Sequence, residues 1–136
     1  MADVGWRQVH AGSFGAAAAE YERGRPTYPS QALDWLLPTG VRRVLDLGAG
    51  TGKLTRQLHD RKLDVVAVES LPQMRAELAR VLPGVQVLAG TAEDVSLADG
   101  SVEAVLVAQA WHWVDTDRGV PEVARVLTQG GQLGLA

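Results

Sequence analysis

The chain has 136 residues and a net charge of −3, which is enough for one domain with one core and typical of a soluble globular protein. It contains no cysteine and three widely separated histidines, which excludes disulfides and makes a metal site improbable. It has no basic run, signal peptide or membrane-length apolar stretch, so we expect a cytoplasmic protein with no nucleic-acid or membrane partner.

The apolar pattern predicts alternating helices and strands. Residues 1–29 are polar and rich in Gly and Ala, with a short helix predicted over 16–22. Ser30 is the expected N-cap of the next helix, which stops at Pro38. The predicted elements from there are helix 30–37, strand 41–47, helix 54–59, strand 64–68, helix 74–82, strand 85–88, strand 102–107, helix 120–127 (ended by Gly130-Gly131) and strand 133–136.

The predicted strands are continuously apolar, which indicates a doubly wound parallel α/β sheet that is covered on both faces. The chain ends in the apolar sequence QLGLA with no helix to cover the last strand. An uncovered apolar edge strand favours pairing with other chains. We therefore expect that the C-terminal strands are missing; the alternative is completion by another chain, as in a homodimer formed through this edge.

The segment from Val44 to Gly52 reads VLDLGAGTG and predicts a strand, a glycine-rich turn and a helix. Glycines in such a turn let backbone N–H groups approach a ligand, and a helix N-terminus favours anionic groups. The dinucleotide fingerprint requires glycine where this chain has Lys53, and the phosphate-loop pattern is absent. An NAD-dependent oxidoreductase is therefore a weaker alternative.

The spacing Asp46-x-Gly48-x-Gly50-x-Gly52 resembles motif I of the class I S-adenosylmethionine-dependent methyltransferases, [DE]-x-G-x-G-x-G. This resemblance implies a Rossmann-like sheet and S-adenosylmethionine as the cofactor, with S-adenosylhomocysteine as the product. An acidic residue beside the glycines suits a ligand with an ammonium and a sulfonium. The expected cofactor-binding residues of this segment are Asp46, Gly48, Ala49, Gly50, Thr51 and Gly52.

Further cofactor contacts are predicted after the second strand. Glu69 ends that strand, where nucleoside-binding α/β folds place an acidic residue that accepts from the ribose hydroxyls. Ser70 follows, and Leu71 or Met74 is expected to pack on the adenine face. Core packing is the alternative interpretation for Met74.

The third strand is followed by the polar turn 90–94, which reads GTAED. The resemblance implies that the Ala92 backbone N–H meets an adenine ring nitrogen and that Glu93 accepts from the exocyclic amine. Many relatives have Asp where this chain has Thr91, so the side chain that takes the amine stays open, and a surface turn is the alternative.

The fourth strand leads into the sequence AQAWHWVD at 108–115. Strands one and four flank the change in strand order, so we expect this segment to border the reactive methyl group. It resembles the A-Q-A-x-H-W-x-D element of the methyltransferase type 11 group, which includes trans-aconitate-type enzymes. Gln109 is expected at the cofactor, Trp111 and Trp113 on the substrate side, and His112 as the catalytic base. The alternatives are ordinary packing and a structural histidine.

The sequence YERGRPTYP at 21–29 resembles the lead-in of the same group. The resemblance implies that residues 1–29 form a lid and that residues 30–136 form the cofactor-binding domain. Tyr21 and Arg25 would then reach the cofactor carboxylate, because arginine offers a planar fork of donors.

Together these features predict methyl transfer from S-adenosylmethionine to a small-molecule acceptor, without a metal. The alternative is a non-catalytic S-adenosylmethionine-binding module completed by a partner chain.

Overall fold

The computed structural model describes residues 27–108, 111 and 114–136. None of the helices in these ranges is long and apolar enough to cross a membrane. The elements, in chain order, are α1 Ser30–Leu36, β1 Arg43–Leu47, α2 Lys53–Asp60, β2 Asp64–Glu69, α3 Pro72–Val81, β3 Gln86–Ala89, β4 Val102–Val107, α4 Thr116–Val126 and β5 Leu127–Leu135.

The five strands form one parallel sheet in the order β3-β2-β1-β4-β5. The strand order changes direction between β1 and β4, where Val44 pairs with Ala104. Because all strands are parallel, the residues that follow each strand lie at one common edge of the sheet. The structure thus confirms the predicted doubly wound α/β class.

Two apolar clusters cover the two faces of the sheet, because successive strand residues point to opposite sides. On one face, Val44 of β1 packs in a cluster with leucines of α1, α2 and α3. On the other face, Leu45 and Leu47 pack in a cluster with Val123 and Val126 of α4. Burial on both faces explains why the strands are continuously apolar.

The first helix begins differently from the prediction. Pro29 is the N-cap of α1, Ser30 is its first helical residue, and no side chain caps the helix. The expectation that Ser30 caps this helix is therefore wrong. Pro29 has φ −60° and extended ψ, the conformation that an N-cap residue requires.

The last helix and strand also differ from the prediction. Helix α4 begins at Thr116 rather than Val120, because the Asp115 side chain accepts from the Asp117 N–H and caps it. It continues through Pro121 and ends at Val126. The predicted stop at Gly130-Gly131 is wrong, since these glycines lie within β5, at an irregularity in its pairing with β4.

Candidate active site

The glycine loop, residues 48–52, joins β1 to α2. Gly48, Gly50 and Gly52 have φ values of 73°, 61° and 102°, which only glycine adopts without strain. A Cβ on Gly52 would also overlap Leu78 of α3. The glycine spacing therefore reflects both the path of the turn and the close packing of α3 behind it.

Four amides of this loop donate within the protein. Gly48 and Ala49 donate to the Val68 carbonyl, at 2.8 and 3.1 Å. Gly52 donates to the Ala49 carbonyl, and Gly50 donates to the Glu69 carboxylate. Each of these four N–H groups therefore has an acceptor within the protein, and their contact with a cofactor stays a prediction from the sequence.

Asp46 lies on the α2 face of β1 and is 1% exposed. Its Oδ2 atom accepts a 2.6 Å hydrogen bond from the hydroxyl of Thr55, which is also buried. This contact fixes the first turn of α2 relative to the end of β1. The Asp46 carboxyl group thus joins β1 to α2, the two elements that the glycine loop connects.

Glu69 ends β2 beside the glycine loop and is 7% exposed. Its Oε1 accepts from the Gly50 N–H at 2.9 Å, and its Oε2 accepts from the Leu71 N–H at 2.8 Å. One carboxylate therefore joins the loop after β1 to the loop after β2. Oε2 also accepts from the Ser70 hydroxyl at 3.5 Å, whereas Oε1 has a second lone pair that can accept from a ligand hydroxyl.

The start of α3 lies next to Glu69. Arg75 of α3 donates to the carbonyls of Glu69 and Ser70, both at 2.9 Å, and holds the turn between β2 and α3. Leu71 is half-buried, Ser70 is exposed, and Met74 is buried. Leu71 and Ser70 therefore retain accessible surface, while Met74 is almost entirely enclosed by protein.

The polar turn after β3 is closed by reciprocal hydrogen bonds between the backbones of Thr91 and Asp94. Ala92 is buried in the apolar cluster on the α4 face. The Oε1 atom of Glu93 accepts from the Asp115 N–H at 2.7 Å. One carboxylate oxygen of Glu93, the residue predicted to bind the adenine amine, is thus hydrogen-bonded to the N-cap residue of α4.

Beyond β4, Trp111 is half-buried and packs against the same cluster. Its carbonyl accepts from the Val114 N–H at 3.0 Å. Packing therefore accounts for part of the Trp111 surface. The predicted site residues Gln109, His112 and Trp113 lie outside the described residues.

Tyr28 is joined to α2 by a pair of hydrogen bonds that the sequence did not indicate. The Gln57 side chain accepts from the Tyr28 N–H at 3.1 Å and donates to the Tyr28 carbonyl at 2.6 Å. A glutamine at one helical position carries no signal for such a pairing. The predicted lid residues Tyr21 and Arg25 lie outside the described residues.

Helix α4 also carries a charged group that was not predicted as part of the site. Arg125 donates to the Val95 and Leu97 carbonyls and to Asp99, all at 2.8 Å. Arg125 also forms a hydrogen-bonded ion pair with Glu122. This hydrogen bond, together with one from the Val95 N–H, lowers the pKa of the Glu122 carboxyl to about 2. The connection between β3 and β4 is thus bound to α4.

Comparison with known proteins identifies the family. The family model "Methyltransferase domain" matches residues 45–135. A methyltransferase of Mycobacterium tuberculosis, of uncharacterised activity, is 64% identical over 123 residues, or 90% of this chain. An uncharacterised methyltransferase-like protein of Schizosaccharomyces pombe is 38% identical over 94% of this chain. The chain spans about half the length of both, 51% and 52%.

Among solved structures, a SAM-dependent methyltransferase of Thermotoga maritima, described as a possible histamine N-methyltransferase, superposes with a TM-score of 0.73. It is 38% identical, and the match covers 93% of this chain and 59% of the other. The chain belongs to the class I S-adenosylmethionine-dependent methyltransferases.

Proposed function

We propose that this chain binds S-adenosylmethionine at the edge formed by the ends of β1, β2, β3 and β4, for methyl transfer to a small-molecule acceptor. The observation that carries the proposal is Glu69. Its buried carboxylate accepts from Gly50 and Leu71, so it is held in place between the glycine loop and α3. A fixed carboxylate here is ready to accept from the two ribose hydroxyls of the cofactor.

The charge of the site supports a cationic ligand. Asp46 and Glu69 are both buried at this edge, and four glycine-loop amides donate within the protein. A pyrophosphate would lie beside these carboxylates, and the N–H groups of Gly48, Ala49, Gly50 and Gly52 already donate within the protein. S-adenosylmethionine carries an ammonium and a sulfonium instead, so its charges suit the negative site. The arrangement disfavours the NAD alternative.

The residues around this edge define what the protein contributes to methyl transfer. S-adenosylmethionine would supply an activated methyl group, so the protein's main tasks are alignment and exclusion of water. Leu71 and Ala92 flank the proposed adenine position, and half-buried Trp111 follows β4 on the acceptor side. A protonated acceptor such as a phenol needs a base, for which His112 is the candidate from the sequence.

The small-molecule acceptor is proposed from the family resemblance and from one relative. The Thermotoga maritima protein is described as a possible histamine N-methyltransferase, and histamine is a small amine. A trans-aconitate-type acceptor stays a proposal from the sequence alone.

The test is calorimetric titration of the chain with S-adenosylhomocysteine and with NAD. We expect binding of the first ligand only. Glu69→Ala should weaken S-adenosylhomocysteine binding about 100-fold, because two hydrogen bonds to a charged group are worth about 3 kcal/mol together. Glu77→Ala, which removes a glutamate from the same region of the chain, is the control and should leave affinity unchanged. Unchanged affinity in a folded Glu69→Ala protein, shown by circular dichroism, would contradict the assignment.

A further inference from the structure

Helix α4 and its N-cap residue contact the β3–β4 loop, residues 90–101, at two points that lie two helical turns apart. At the helix start, the Asp115 N–H donates to Glu93 Oε1 at 2.7 Å. Two turns later, Glu122 Oε2 accepts from the Val95 N–H at 2.8 Å. The loop is therefore fixed along the helix, and Glu93 makes the contact closest to the proposed adenine position.

Between these two hydrogen bonds, Gly119 of α4 packs closely against the β3–β4 loop and against the segment after β4. A Cβ on Gly119 of α4 would overlap Val114 and would lie 3.6 Å from the Cβ of Ala92. Glycine at this position therefore lets the helix pass close to Val114, while the distance to Ala92 is an ordinary contact. Ala92, from the loop after β3, and Val114, from the segment after β4, therefore meet on one turn of α4.

The segment after β4 is joined to Asp115 by a short path. Val114 precedes Asp115 and donates its N–H to the Trp111 carbonyl at 3.0 Å. Trp111 and Val114 pack against the same apolar cluster, to which Ala92 also belongs. A displacement of Asp115 would thus be transmitted to Trp111 through one intervening residue and one hydrogen bond.

We propose that Glu93 is a positioning residue, whose hydrogen bond to Asp115 keeps the adenine-side turn and the Trp111 segment in one relative arrangement. This inference rests on the proposed function and assigns Glu93 a role other than binding the exocyclic amine. The observation in its favour is that Glu93 Oε1 is bonded to a backbone donor of α4. The neighbouring Thr91 and Asp94 close their own turn, so the turn keeps its shape without Glu93.

The first experiment measures binding of S-adenosylhomocysteine and of its deaminated analogue S-inosylhomocysteine, which lacks the exocyclic amine. If Glu93 positions the turn, Glu93→Ala weakens both ligands by a similar factor, about threefold, and the preference between them is unchanged. If Glu93 binds the amine, Glu93→Ala weakens only S-adenosylhomocysteine, and the preference falls. That second outcome would overturn the proposal.

The second experiment needs no ligand. In a background with Trp6→Phe and Trp35→Phe, the remaining tryptophans, at 111 and 113, report on the segment after β4. We expect Glu93→Ala to raise the acrylamide quenching constant about twofold. Glu93→Gln retains an oxygen that accepts from Asp115 and should restore the original value. Glu77→Ala, on α3, is the control and should match the background.

The two experiments separate this inference from the proposed function. A chain that binds neither nucleoside but shows the quenching change would contradict the function and retain the role of Glu93. A chain that binds S-adenosylhomocysteine but shows no quenching change in Glu93→Ala would retain the function and overturn the positioning role.

Discussion

The glycine loop and the β3–β4 loop lie beside the same proposed site, but different kinds of interaction hold them. The glycine loop is bound by Glu69, which is 7% exposed and accepts from backbone N–H groups. The β3–β4 loop is bound by Glu122 and Arg125, whose side chains are 17% and 33% exposed. One loop is fixed by a buried acceptor and the other by a charged pair in contact with water.

This difference determines what each loop responds to. Salt and bulk water weaken interactions between exposed charges, whereas buried hydrogen bonds are little affected. We therefore expect the shape of the glycine loop to depend on the positive φ angles that its glycines adopt. The attachment of the β3–β4 loop should depend on pH and on ionic strength.

The largest expected effect comes from Gly52→Ala. Gly52 has φ 102°, and a Cβ there would overlap Leu78. A left-handed conformation costs about 1 to 2 kcal/mol for an alanine, and overpacking adds about 1 to 3 kcal/mol. We expect the free energy of unfolding to fall by about 3 kcal/mol, measured by urea denaturation.

Gly40→Ala is the matched control for this substitution. Gly40 also has a positive φ, 77°, but a Cβ there meets no atom within 4 Å. It should cost only the conformational part, about 1 kcal/mol. Equal losses at the two positions would mean that Leu78 moves aside freely, and that close packing does not constrain the glycine loop.

The next effect is the pH dependence of the Glu122 contact. The folded pKa is about 2, below the ordinary value of 4.5, so Glu122 stabilises the fold above pH 4.5 and loses this effect as pH falls toward 2. The full pKa shift corresponds to about 3 kcal/mol in the free energy of unfolding, and solvent screening reduces this contribution to about 1 to 2 kcal/mol. Urea denaturation of wild type and Glu122→Gln should show this gap at pH 7 and less than half of it at pH 3.

The pair of Glu77 and Arg80 provides the comparison, since it has the same spacing along a helix. Arg80 is 72% exposed, and within the described part of the chain its side chain donates to Glu77. Glu77→Gln should therefore change stability less than Glu122→Gln. A similar response in both pairs would show that binding of the β3–β4 loop by Arg125 adds nothing to the ion pair.

The sequence was sufficient for the class of fold and for the glycine loop. Continuous apolar strands predicted a parallel sheet, and the spacing of Gly48, Gly50 and Gly52 predicted a tight turn; both follow from local rules. The prediction that Glu69 ends the second strand is confirmed, and because parallel strands end at one edge, Glu69 lies beside this turn. Its hydrogen bonds to Gly50 and Leu71 did not, since they depend on side-chain packing.

The errors occurred where tertiary contacts override local signals. Gly119 and Pro121 disfavour a helix, yet α4 includes both, because Asp115 caps its start and Gly119 permits close packing on Val114. Likewise, Glu122–Arg125 and Glu77–Arg80 look the same in sequence. Only the fold shows that Arg125 also reaches the loop carbonyls.

The smallest expected effect concerns a neutral hydrogen-bonded contact of α2, the helix that follows the glycine loop. Gln57 of α2 bonds both backbone groups of Tyr28, with no charge involved. Gln57→Ala should lower the free energy of unfolding by about 1 kcal/mol. Because neutral hydrogen bonds are not screened, this loss should be the same in 0.05 and 1 M salt, roughly the extremes of useful screening. Gln57→Glu keeps an acceptor for the Tyr28 N–H but cannot donate to its carbonyl, so it should cost part of that amount. A loss for Gln57→Ala that disappeared in high salt would show that this contact depends on charge, and the prediction would fail.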